Sequence, residues 1–197
     1  MAAVYFRDID FRFVSARWLR VSFVQTNYRA YVRRNGARAV WFFGTTLASR
    51  LAVLPRVAWS MPWHRVDATL EADWVDARCT RYESDSHGKW GSCELSLSGS
   101  DASAASTPLD GFANAHEAAL VLTHPLVGYF GHGRRGVGRY EVWHAPLRPS
   151  LGSAIRARFS PFEERGLTVP GQAPHSVLLQ RSTDFAVLLP PTRLPEP

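Results

Sequence analysis

The chain has 197 residues, 46% hydrophobic and 20% charged, enough for one globular domain with a real core. No apolar run approaches the ~20 residues of a membrane span, and the opening Met-Ala-Ala-Val-Tyr-Phe-Arg-Asp lacks the basic-then-apolar order of a signal peptide, so a cytoplasmic location is expected. The net charge is +6, but the arginines are scattered, the longest basic clusters are Arg33-Arg34 and Arg134-Arg135, and Lys89 is the only lysine; a phosphate-tracking surface gathers its charge on one face, so nucleic acid is not an expected partner, and neither is a membrane.

Residues 3–14 alternate from Phe6 on, with Arg7, Ile9, Phe11 and Phe13 set against Asp8, Asp10 and Arg12, as in a half-buried strand. Arg17 to Val24 reads as a second extended segment. Asn35-Gly36 then gives the best local signal in the chain. A type I′ turn needs positive φ at both central residues, and Asn-Gly meets that at low steric cost. The turn pairs Arg34 with Ala37 and Tyr31 with Val40. One face of the hairpin carries Tyr28, Ala30, Val32, Ala39, Trp41 and Phe43 and should be core. The other carries Asn27, Arg29, Tyr31, Arg33, Arg38, Val40 and Phe42. It is either a solvated face with an aromatic patch, or a face on which Asn27 and Arg29 reach into a cavity.

Thr45 or Thr46 can cap a helix over Leu47–Leu54, with Pro55 interrupting it or starting a further turn to Trp59. Leu47, Leu51, Leu54 and Ala58 share one stripe, expected to pack on the sheet. Met61-Pro62-Trp63-His64 turns the chain into a strand through Ala72. Two strands, Trp74–Glu83 and Lys89–Ser98, are joined by an expected turn at Asp85-Ser86-His87-Gly88. That turn would set Cys79 and Cys93 opposite or diagonal, as two buried thiols or a disulfide. Residues 99–107 read as a flexible loop, and Asp110–Leu122 as the clearest helix. Gly131–Gly138 lacks the Gly-Lys-Ser/Thr ending of a phosphate loop, so a hairpin connection is expected. Arg139–His144 alternates as a strand, with Tyr140, Val142 and His144 on one side. Val177–Gln180 and Asp184–Leu188 are short closing strands.

Many strands, few helices and no β-α-β alternation point to a mainly β (α+β) protein. The expected form is a curled or closed antiparallel barrel or cone with one or two packed helices. One domain is expected over residues 1–189, followed by a Pro-rich tail over 190–197.

Several stretches together resemble the DUF2071 family, also called YqjF-like. They are Thr26-Asn27-Tyr28-Arg29-Ala30-Tyr31-Val32-Arg33, Val40-Trp41-Phe42-Phe43, Ser49-Arg50-Leu51-Ala52-Val53, Arg56, Met61-Pro62-Trp63-His64 and Trp143-His144-Ala145-Pro146. The resemblance implies a fold like that of acetoacetate decarboxylase, a β-rich cone enclosing a pocket. The decarboxylase has an Arg and, six residues on, Pro-Lys-Lys, one lysine forming a Schiff base with a keto acid. Here Arg56 and Pro62 keep the spacing, but Trp63 and His64 replace the lysines. A Schiff base needs a primary amine of lowered pKa, which neither residue supplies. Lys89 follows an expected turn, where exposure is the default. Family members often carry Glu two residues before the Asn; here that position is Gln25.

The expected ligand is a small molecule, a carboxylate among the candidates, held between Asn27, Arg29, Arg56, Trp63 and His64. Arginine binds carboxylate as a fork, which makes Arg29 and Arg56 the natural clamps. His64 and His144 are the candidate general bases, each with a plain structural role as the alternative. No cofactor or metal is expected: two cysteines without further ligands make no zinc site, and no dinucleotide fingerprint or Ser-His-Asp order is present. Self-association into a homo-oligomer is left open. The alternative is a structural or interaction protein that keeps the fold without a working site.

Overall fold

The computed structural model describes residues 2–6, 23–76, 78–104, 106–131, 136–183 and 185–194. The strands expected over 7–14 and 17–22 lie outside the described residues. Packing divides the chain into two compact units. The first comprises Met1–Val66, Pro125–Ala145 and Asp184–Pro197; the second comprises Asp67–His124 and Pro146–Thr183.

The first unit is built on the Asn-Gly hairpin. Strand β1 (Ala2–Phe6) pairs with β2 (Gln25–Arg34), which pairs with β3 (Ala37–Leu47). Asn35 and Gly36 have φ 51° and 79°, the left-handed geometry the tight turn demands. Pairing is regular from Arg34–Ala37 to Arg29–Phe42. The register then shifts, so that Tyr28 faces Gly44 and Asn27 faces Thr45. Phe43 is thus an extra residue on β3, a β-bulge.

The core does not sit where the alternation suggested. The buried cluster is built on Val40 and Phe42, with Tyr31 half-buried against it, which is the face read as mixed. Ala30, Val32, Trp41 and Phe43, expected as core, are only half-buried, although Tyr28 and Ala39 are buried. The cause is long-range. Strand β8 (Val127–Gly131) runs parallel to β3, setting Phe42 beside Phe130, and β9 (Val137–His144) adds Tyr140. Gly128 and Gly138 make room for these rings. A Cβ at Gly128 would lie 2.6 Å from the Phe42 ring, and one at Gly138 would collide with Phe130.

A 3₁₀ turn (Arg50–Ala52) leads into α1 (Val53–Trp59). Its cap is Ser49, whose Oγ accepts from Leu51 N at 3.1 Å. Thr45 and Thr46, the expected caps, belong to β3 and are buried. The expected packing stripe is also corrected: Leu47 is buried within β3, but Leu51 and Leu54 are 44% and 56% exposed. Pro55, expected to interrupt the helix or start a further turn, does neither: it lies in the first turn of α1, which begins at Val53. Ser60 adopts φ 52° and ends α1. The corner then docks on β3: Thr45 N donates to Pro62 O at 2.8 Å and Val66 N to Leu47 O at 3.0 Å. Strand β4 (Trp63–Arg65) pairs parallel with β3.

Strand β12 (Phe185–Arg193) pairs with β9 and completes the order β1-β2-β3-β8-β9-β12, with β4 beside β3. The sheet is mixed, not purely antiparallel. β12 also runs through Pro190 and Pro191, where a tail was expected. A register irregularity between Leu188 and Thr192 lets two residues without N–H pass along the sheet.

The second unit is a five-stranded sheet in the order β11-β10-β7-β6-β5. Its strands are β5 (Asp67–Val75), β6 (Arg78–Gly88), β7 (Gly91–Ser103), β10 (Ser150–Phe159) and β11 (Val177–Leu179). The β6–β7 turn falls at Lys89-Trp90, not at 85–88, with Gly88 opposite Gly91. Ser84 and Ser86 are buried while Asp85 and His87 are exposed, so strand alternation continues through the expected turn. Cys93 therefore faces Ser86, and Cys79 lies beside Gly99. Both cysteines are buried, and no disulfide joins them. β7 continues through the expected loop to Ser103, paired with Ser150 of β10. Helix α2 (Ala115–Thr123) starts five residues later than expected, because the Asn114 side chain caps it by accepting from Glu117 N at 2.9 Å. A short helix, α3 (Ser160–Glu163), follows β10. Among the described residues no helix is long and apolar enough to cross a membrane.

Candidate functional site

Period two along β2 sends Gln25, Asn27, Arg29 and Tyr31 to one side of the first sheet. Gln25, Asn27 and Arg29 are all buried. Asn27 is the hub. Its Oδ1 accepts from Gln25 Nε2 at 2.7 Å and from Thr45 Oγ1 at 2.8 Å. The bulge at Phe43 creates the second bond, since uniform pairing would have placed Gly44 opposite Asn27. With Oδ1 doubly engaged, the Asn27 Nδ2 group is the remaining donor.

Arg29 is only 8% exposed. Its Nη2 donates to the Tyr31 hydroxyl at 3.3 Å, and its guanidinium carbon lies 5.3 Å from the Tyr31 ring centroid. Tyr140 occupies the same strand row as Tyr31 and Val40. Burial pushes the Tyr140 phenol well above its ordinary pKa, and the Arg29 charge opposes this only in part. The phenol therefore stays protonated at neutral pH and can donate.

Trp63 stands level with Thr45, and it packs into the cluster containing Phe42, Leu47 and Met61. Asn27, Arg29 and Trp63 are thus brought to one face. His64 is level with Thr46, so alternation turns it to the reverse face with Thr26. Arg56 is exposed on α1. His144 shares the face of Tyr140 and is buried, but at the other end. Moving along β9 from Gly138 to Tyr140 runs back past Phe42 and Val40 toward the Asn35-Gly36 turn, away from Thr45. The His144 Nδ1 contacts Ala145 O at 2.8 Å; a carbonyl can only accept, so Nδ1 carries the proton. Neither histidine joins the Asn27–Arg29 row.

Gln25, Thr45, Tyr31 and Tyr140 were not singled out from the sequence as site residues. Gln25 was visible by period two from Asn27. Thr45 depended on the bulge, and Tyr140 on a parallel pairing across some ninety residues. Among the described residues, no group of three or more His, Cys, Asp or Glu is placed to hold a metal ion.

No curated protein and no solved structure matches the chain significantly. Residues 1–184 match the DUF2071 family, described as an uncharacterized conserved protein. That match covers nearly the whole sequence, including the hairpin, the tryptophan corner and the strand ending at His144, and the chain belongs to the DUF2071 family.

Proposed function

We propose that the polar row of β2 binds a small carboxylate. The observation that carries this is the set of donors around Arg29: its guanidinium, the Asn27 amide and the Tyr31 and Tyr140 hydroxyls, beside the apolar wall of Phe42 and Trp63. Such a set suits an anion, because it gathers N–H and O–H donors beside an apolar wall that limits competing water. The sheet would curl into a cone of the acetoacetate-decarboxylase type around this row. Trp63 and His64 in place of lysines rule out that enzyme's amine chemistry, so any reaction would be acid–base.

A second reading is a protein that keeps the fold without a working site. Close ring packing favours it: the Phe42 and Tyr140 centroids are 5.2 Å apart, and those of Phe130 and Tyr140 6.0 Å.

A thermal-shift panel of small acids and aldehydes separates the two. Carboxylates should raise the melting temperature of the wild type but not of Arg29→Ala. An unchanged response in Arg29→Ala removes Arg29 from the site, and no response to any acid supports the second reading. Borohydride with keto acids should leave the protein unmodified; an adduct on Lys89 would overturn the mechanistic exclusion.

A further inference from the structure

Gln25 is 6% exposed, and its Oε1 is buried without a hydrogen-bond partner among the described residues. Leaving an acceptor in that state is costly, since it has given up water for nothing. Turning this amide over by itself does not correct it, because Nε2 donates to Asn27 Oδ1 at 2.7 Å and reversal would set oxygen against an oxygen that also accepts from Thr45 Oγ1. The row therefore has a polarity: at Gln25 a neutral acceptor without a partner among the described residues, then donors at Asn27 and Arg29.

We infer that Gln25 is a specificity residue and that the ligand is an elongated carboxylate carrying a hydroxyl at its far end. This rests on the carboxylate reading above. The carboxylate takes the Arg29 end, and the hydroxyl donates to Gln25 Oε1. Four residues of extended strand separate the two Cα atoms by roughly 13 Å, and Gln25 leans toward Asn27 while Arg29 leans toward Tyr31, so the polar heads keep about that separation; a hydrogen bond of about 2.8 Å at each end leaves roughly 7–8 Å for the ligand. An acid of about six carbons with a terminal hydroxyl fits that span. Because Gln25 is uncharged, it accepts from a neutral hydroxyl without demanding an ammonium. Glutamate at the same position would reverse that preference.

The test uses the full chain and three probes of matched length: 6-hydroxyhexanoate, heptanoate and 6-aminohexanoate. Calorimetry on the wild type should show 6-hydroxyhexanoate binding at least about tenfold tighter than heptanoate, despite the greater apolar surface of heptanoate. Gln25→Leu should lose that preference, and Gln25→Glu should bind 6-aminohexanoate best. Equal or tighter heptanoate binding by the wild type would overturn the inference, Oε1 being served by water instead. If short carboxylates bind in the thermal-shift panel but none of the three probes does, the inference falls and the carboxylate reading survives. If no acid binds at all, both fall. Should Gln25→Leu fail to fold, the wild-type comparison decides alone, and an unaltered preference in Gln25→Glu counts against the assignment.

Discussion

The two sheets place their polar side chains in opposite ways. In the second sheet the charges lie outside, as a ladder across neighbouring strands. Arg81 reaches Glu83 at 2.6 Å, Glu71 at 3.3 Å and Asp73 at 3.9 Å, while Arg158 reaches Glu163 at 3.5 Å and Glu94 at 3.9 Å. Its buried hydroxyl at Ser84 returns to the backbone, donating to Thr69 O at 2.8 Å. In the first sheet, Gln25, Asn27 and Thr45 are buried and bond through one another's side chains, and the buried Arg29 donates to the Tyr31 hydroxyl. A fold can be made without such a network, as the second sheet demonstrates. Buried side-chain networks are costly when incomplete, and the one in the first sheet is where the proposed carboxylate would bind.

Three measurements sharpen that contrast. The largest effect should come from Asn27→Ala, which strands the Gln25 amide and the Thr45 hydroxyl together. Urea unfolding should show a loss of about 2–3 kcal/mol; a loss too small to resolve would mean the network contributes little to folding. Next is the high-pH limb of stability. The folded-state pKa of Tyr140 is raised above its reference value of 10.0, so the folded protein holds that proton longer than the unfolded chain. Stability is unaffected by this group below pH 10 and falls as pH rises beyond it. Tyr140→Phe should flatten the decline in melting temperature above pH 10, and an identical decline would remove Tyr140 as its source. The smallest effect should come from Arg81→Ala, because exposed ion pairs are screened and entropically costly. Its urea midpoint at neutral pH should be nearly that of the wild type. Its acid limb should shift slightly, since the Arg81 hydrogen bond holds the Glu83 carboxyl below its usual pKa. That stabilisation is present above the ordinary carboxylate range and is lost as pH falls through the folded value.

What could be read from the chain alone was what depends on neighbours in sequence. The Asn35-Gly36 turn and its pairings are local, and so is the alternation of Tyr140, Val142 and His144. The choice of core face was not local. It was decided by Phe130 and Tyr140 arriving from strands far along the chain. The β6–β7 turn was misplaced because Asp-Ser-His-Gly holds more turn formers than Lys-Trp. The deciding contacts are again distant: Gly91 is crowded by Pro161, whose ring would lie 2.5 Å from an added Cβ. That Asn27, Arg29 and Trp63 share a face was legible because β2 has a fixed period and the corner after α1 has a strong motif. His64 stands off that face by a single step of parity, since the residue after an inward tryptophan must point the other way.

The unpaired residue at position 43 makes register, as much as composition, a carrier of chemistry. Were Phe43 to pair with Tyr28 instead of standing out of the ladder, Gly44 would fall opposite Asn27 and have no hydroxyl to offer. No residue would have been altered, yet the hub of the polar row would have lost one of its two donors. In this hairpin the arithmetic of the ladder is itself part of the site.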